Sequence, residues 1–194
     1  GFLFDCKNTL AAIFETGVSE KLNDLLPGEN ATAPTKTWLK NARAAFNESD
    51  LDEILGRLQG SKPQNPQDVL FNPTAPAGAY DAAMIATREF HAMVWAAHLA
   101  GEKAAEPLYA LASENYRKVP GVGPKNAKLA NAAAVSLSLM EGGQGVSYLL
   151  RLQREVKYPK IKKTLDKRIE EASGAQGQSK QSMEEQAVKD YGFA

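Results

Sequence analysis

Cysteine is almost absent. Cys6 stands alone among 194 residues, so no intrachain disulfide forms and no cysteine zinc site can be assembled. A lone thiol leans the reading toward a reducing compartment. Long hydrophobic runs are lacking as well. The most apolar stretch, Ala92 to Ala100, contains His98 and falls short of the roughly 18 residues that a membrane-spanning helix needs, so a soluble protein without a transmembrane segment is expected. Gly1-Phe-Leu-Phe is apolar, but Asp5 and Lys7 interrupt it, and it does not read as a signal peptide. The chain opens on Gly1 rather than methionine and is read as a processed form or a fragment. Alternating polar and apolar runs are missing and β-branched residues are sparse, which argues against sheet. No Gly-x-Ser-x-Gly elbow, Walker loop or dinucleotide fingerprint occurs. No enzyme, metal or cofactor is expected.

What is present is helix. Apolar residues recur at helical spacing from Phe2 to Phe14, and again at Leu22, Leu25 and Leu26, where Ser19 is the expected cap. Thr35 or Thr37 opens a helix carrying Trp38, Leu39, Ala42, Ala45 and Phe46. Ser49 is the expected N-cap of the next, with Asp52 and Glu53 in its first turn and Leu51, Ile54, Leu55 and Leu58 inside. Residues 60–78 hold Pro63, Pro66, Pro73 and Pro76 and exclude helix. The longest helix follows, from Tyr80 to Leu99, then Ala104 to Tyr116, Pro124 to Met140, 145–157 and 159–172. Ser173 to Ser182 reads as a polar tether and Met183 to Tyr191 as a short amphipathic segment. The expected fold is an all-α multi-helix bundle with a long Pro-rich loop. Its regions are an acidic helical region 1–59, the Pro-rich loop or linker 60–78, a main helical domain 79–172, and the tether and C-terminal segment 173–194.

Formal net charge is zero, but the charge is unevenly placed. Residues 1–116 carry 9 Lys and Arg against 15 Asp and Glu, residues 117–168 carry 12 against 3, and residues 169–194 carry 2 against 5. Such asymmetry points to an anionic partner, or to docking of the basic part on an acidic one within the chain.

The basic region begins with a distinctive turn, Val119-Pro120-Gly121-Val122-Gly123-Pro124-Lys125-Asn126-Ala127-Lys128-Leu129. Glycines here permit positive φ and close approach of a partner to the backbone. Pro124 suits the first turn of a helix, whose free amides and dipole form an anion site. Arg117, Lys118, Lys125 and Lys128 surround it. Over residues 108–133 the pattern resembles the helix-hairpin-helix motif of non-sequence-specific DNA-binding proteins. The resemblance implies phosphate contact through the hairpin glycines and following amides, here Gly121, Gly123 and Lys125. Base-excision glycosylases of that wider family carry a catalytic aspartate beyond the second helix. Residues 130–153 contain no aspartate and only Glu141 as an acid, so glycosylase chemistry is not expected. The plainer reading is a tight turn between two helices, with Val119 and Val122 anchored in the core.

A second basic segment, RLQREVKYPKIKKTLDKR, runs from Arg151 to Arg168, with Tyr148 and Tyr158 interleaved. Arg151, Arg154 and Lys157 fall near one face, and Lys160, Lys163 and Lys167 near another. Clustered cations with aromatics suit nucleic acid, and also an anionic membrane surface or an acidic protein. His91 and His98 lie seven apart, which is not a metal-ligand spacing. The leading expectation is a non-enzymatic protein that contacts nucleic-acid phosphates. The alternatives are a self-assembling structural subunit, such as a helical nucleocapsid or filament coat protein, and a helical accessory subunit of a larger complex whose basic face docks on acidic protein or lipid.

Overall fold

The computed structural model describes residues 17–60, 72–175 and Gly177. The helix expected over residues 2–14, residues 61–71 of the Pro-rich stretch and the segment 183–194 lie outside them. The fold is all-α and multi-helical. The chain divides into two compact units, Gly1–Met93 and Val94–Ala194, and the division falls within the longest helix.

The first unit contains α1 (Gly17–Asp24), α2 (Lys36–Ala45), α3 (Glu48–Gly60) and most of α4 (Ala79–Ala96). Thr35 caps α2, its side chain accepting the Trp38 amide at 3.1 Å. The Trp38 indole then donates to the Leu25 carbonyl at 2.7 Å, fastening α2 to the chain just after α1. Ser49 is not the cap of α3. Asn47 Oδ1 accepts the Asp50 amide at 2.9 Å, and Asp50 Oδ2 accepts the Asn47 amide at 2.8 Å. This reciprocal cap satisfies two orphan amides, and the same carboxylate takes Lys21 Nζ at 2.5 Å. Ile54, Leu55 and Leu58 are buried as expected, while Leu51 is only half-buried.

Ser19 is not a cap either. It lies inside α1, 1% exposed, and its hydroxyl donates to Glu89 Oε1 at 3.2 Å. Arg57 Nη1 reaches the Ser19 hydroxyl at 3.0 Å and Glu89 at 3.5 Å, while its Nη2 holds Glu53 at 2.7 Å. Burial pushes the Glu89 carboxyl above its ordinary value, although the Ser19 hydrogen bond and the Arg57 charge pull it down.

The second unit begins in the last turn of α4. The expected helix to Leu99 changes at Ala97 to 3-10 geometry, which runs to Ala104 and is interrupted at Gly101, φ 63° and ψ −142°. Then come α5 (Ala105–Tyr116), a small hairpin of β1 (Lys118–Val119) and β2 (Gly123–Pro124), α6 (Ala127–Ser138), α7 (Gln144–Glu155) and α8 (Pro159–Ala175). The α5–α6 contact is the most extensive, α7 packs on both, and α8 packs on α6 and α7. Leu108, Leu137, Leu149, Leu152, Leu165 and Ile169 are fully buried. The expected tether starts later than residue 173, because Ser173 is 1% exposed and still helical.

The α6–α7 connection depends on glycine. Gly142 and Gly143 both have positive φ, 85° and 80°. Gly145 sits so close to the end of α6 that a Cβ there would lie 2.0 Å from the Leu137 carbonyl oxygen. Gly145→Ala is therefore expected to destabilise the protein by about 3 kcal/mol, as overpacking does, read as a lowered denaturation midpoint. Gly174→Ala, on α8 with open space around it, should be neutral or stabilising by up to ~1 kcal/mol. For Glu89 the folded state binds the proton more tightly than the unfolded state. Its contribution to stability is thus full below the ordinary value of 4.5 and is lost as pH rises through the raised folded value. Thermal melts across that window should show the decline, and Glu89→Gln should flatten it.

Candidate nucleic-acid interface

The hairpin is built by its own sequence. Arg117 leaves α5 with extended geometry, φ −54° and ψ 135°. Lys118 then stands opposite Pro124, and Val119 opposite Gly123, in an antiparallel pair. Pro120 and Gly121 form the corners of the turn, which closes by the Val122 amide donating to the Val119 carbonyl at 3.2 Å. Proline pre-sets the first corner, and the second needs positive φ, here 74° at Gly121, as in a type II turn. Gly123 follows with φ 116°. The ladder extends below the strands. Lys125 N–H donates to the Arg117 carbonyl at 3.0 Å and Asn126 N–H to the Asn115 carbonyl at 2.9 Å.

This geometry corrects three expectations. Helix α6 starts at Ala127 rather than Pro124, because Asn126 caps it by accepting the Leu129 amide at 3.0 Å and Pro124 belongs to β2. The Lys125 amide, which the resemblance assigns to phosphate, is already bonded within the hairpin. Val122 does not anchor the turn in the core, for it is 78% exposed.

The side chains of the hairpin face solvent. Arg117, Lys118, Lys125 and Lys128 are exposed. Glu114 braces two of them, accepting Lys125 Nζ at 2.5 Å and lying 3.4 Å from Arg117 Nη2. From the second basic segment Arg151, Arg154, Lys157, Lys160, Lys163 and Lys167 are all exposed. Because α7 ends at Glu155, Lys157 lies in the α7–α8 junction rather than on a helix face. Lys167 pairs with Glu171 at 3.7 Å. Lys118, Arg154, Lys157, Lys160 and Lys163 make no ion pair among the described residues.

The two basic segments meet. A cleft of about 390 Å³ is lined by Arg117 and Lys118 at the hairpin and by Lys157 and Tyr158 at the α7–α8 junction, with Glu114 and Glu155 in its walls. The Tyr158 hydroxyl is buried there without a hydrogen-bond partner. Gly121, Gly123, Lys125, Lys128, Arg151, Arg154, Lys160, Lys163 and Lys167 do not line it.

Beside the cleft stands a group that spacing alone did not reveal. Tyr109 of α5 and Tyr148 of α7 have ring centroids 5.2 Å apart, and the Arg151 guanidinium lies over Tyr109 at 4.5 Å. Glu155 joins them, accepting from the Tyr109 hydroxyl at 2.8 Å and from Arg151 Nε at 3.0 Å. Burial, together with the Glu155 hydrogen bond and charge, pushes the Tyr109 hydroxyl up to about 12, outweighing Arg151. It therefore stays a donor throughout the neutral range. Tyr148 was legible as an aromatic among cations, but Tyr109 lies too far upstream for any local pattern to connect them.

His91 and His98 are both buried, each with Nδ1 on a backbone carbonyl, Thr87 at 2.8 Å and Trp95 at 2.6 Å. Among the described residues no group of His, Cys, Asp and Glu is arranged to hold a metal, and no helix is long and apolar enough to cross a membrane. Comparison of the chain with protein-family profiles, with curated proteins and with solved structures returns no match.

The hairpin geometry separates two kinds of substitution. Val122→Ser should change stability by less than ~0.5 kcal/mol, as at an open surface position. Gly121→Val should cost on the order of 2 kcal/mol, since a β-branched residue is strained at positive φ. Urea unfolding of both variants checks the pair, and a large loss for Val122→Ser would restore the buried-anchor reading.

Proposed function

We propose that residues 94–194 bind the phosphate backbone of nucleic acid without reading its sequence, and that the protein performs no chemistry on it. The observation that carries this reading is the convergence of Arg117 and Lys118 with Lys157 on one cleft, although some forty residues separate the two segments. Glu114 and Glu155 in the cleft walls offset part of this positive charge, while Lys118 and Lys157 make no ion pair among the described residues and can meet an anion from outside. The wider charge distribution agrees. Residues 94–194 carry 15 Lys and Arg against 11 Asp and Glu, and residues 1–93 carry 8 against 12. Lys125 enters through its exposed side chain, paired with Glu114, not through its amide. Phosphate contacts of this kind position a duplex or strand and carry no sequence information.

The test is fluorescence anisotropy of labelled DNA and RNA oligonucleotides, single- and double-stranded, at two salt concentrations. Micromolar or tighter binding that weakens steeply with salt is expected, because bound phosphates release counterions. The double variant Lys118→Glu with Lys157→Glu should weaken binding at least tenfold and flatten the salt slope by about two charges. Absence of binding to every oligonucleotide at low salt overturns the proposal. The opposite net charges of the two units favour one other reading, a subunit that packs head to tail on copies of itself. That reading requires concentration-dependent growth in size by light scattering.

A further inference from the structure

We infer that the nucleic acid bound here is single-stranded, with a base stacked on the Tyr109–Tyr148–Arg151 cluster while the adjoining phosphates sit at the cleft. This rests on the phosphate-binding reading above and names the class of strand it applies to.

Three observations point this way. First, the cluster is prebuilt. Two tyrosine rings lie 5.2 Å apart with a guanidinium 4.5 Å over one of them, and Glu155 accepts from both the Tyr109 hydroxyl and Arg151 Nε. Aromatic rings and arginine planes are the surfaces on which unpaired bases stack, and fixing them beforehand removes the entropy cost of ordering them on binding. Second, the cluster is reachable. The Arg151 side chain is 46% exposed. Third, the cluster adjoins the cations. Glu155 is at once its anchor and a wall of the cleft that Arg117, Lys118 and Lys157 line. Stacking surface and phosphate contacts therefore share one boundary residue. A duplex keeps its bases inside the stack and offers only phosphates to such a surface. A single strand offers both.

The experiment compares a mixed-sequence single strand with its matched-length duplex, using the full chain and anisotropy. A second arm places 2-aminopurine in the single strand and follows its fluorescence, which falls when the base stacks. Single-strand binding tighter than duplex binding by about tenfold is expected, the scale of one stacked base, together with quenching of 2-aminopurine. Arg151→Lys keeps the charge and removes the planar surface. It should abolish most of the preference and the quenching while leaving the salt slope unchanged. Tyr148→Leu should act the same way, and circular dichroism of each variant establishes that it is folded. Should one variant not fold, the other and the 2-aminopurine signal of the unaltered protein still decide. Equal affinity for duplex and single strand, or a preference that survives Arg151→Lys with quenching intact, overturns this inference and leaves backbone binding standing. Failure to bind either form overturns both.

Discussion

Two main-chain hydrogen bonds govern the second unit: Asn126 to the Asn115 carbonyl and Lys125 to the Arg117 carbonyl. They close the base of the hairpin, and so fix where α5 ends and where α6 can begin. Both flanking asparagines complete the arrangement. Asn115 is buried and its side-chain amide donates back to the Leu111 carbonyl one turn earlier at 2.8 Å, which satisfies that buried donor. Asn126 takes the Leu129 amide at the start of α6. These polar ends are bonded locally, and the two helices pack through alanine and leucine; a buried polar group left unmade costs about 1–3 kcal/mol. The basic side chains are left on the outside of a turn that the backbone has already settled.

The carboxylates near the cations organise them more than they cancel them. Glu114 lies between Arg117 and Lys125, and Glu155 between Arg151 and Tyr109. Exposed pairs of this kind add at most about 1 kcal/mol to stability and are screened by salt. Their larger consequence is geometric. Long side chains that would otherwise sample many rotamers are held toward one region of the surface. Glu155 has the greater reach of the two, since it joins an aromatic contact, an ion pair and the wall of a cleft.

The first unit handles its charges in the opposite way. Ser19, Arg57 and Glu89 form a network in which Glu89 is 3% exposed. Taking a carboxylate out of water costs several kcal/mol unless hydrogen bonds and a counter-charge offset it. Arg57 supplies both, and is itself shared with Glu53 at 2.7 Å. The network joins Ser19 of α1, Arg57 of α3 and Glu89 of α4. An exposed, open-handed charge cluster in one unit and a closed one in the other are two uses of the same residue types, separated by burial.

The all-α character was legible in the sequence because the signals for it are local. Helical spacing of leucine and alanine, Thr35 as a cap, Pro159 as a start and the Gly142–Gly143 stop act within a turn or two of chain. The glycines and proline of 119–124 announced a turn for the same reason: Gly121 and Gly123 need positive φ whatever surrounds them. The caps at Ser19 and Ser49 were misplaced because tertiary partners intervened, Glu89 for the first and the Asn47–Asp50–Lys21 set for the second. The start of α6 was misplaced because a ladder across the hairpin competed with the helix for the Lys125 and Asn126 amides. Composition could count the cations but not assemble them. Only packing of α7 against α5 brought Lys157 beside Arg117 and Lys118, and the same packing set Tyr109 under Arg151. Local chemistry thus determined the elements, and long-range contacts, which no short pattern encodes, decided which side chains share a surface.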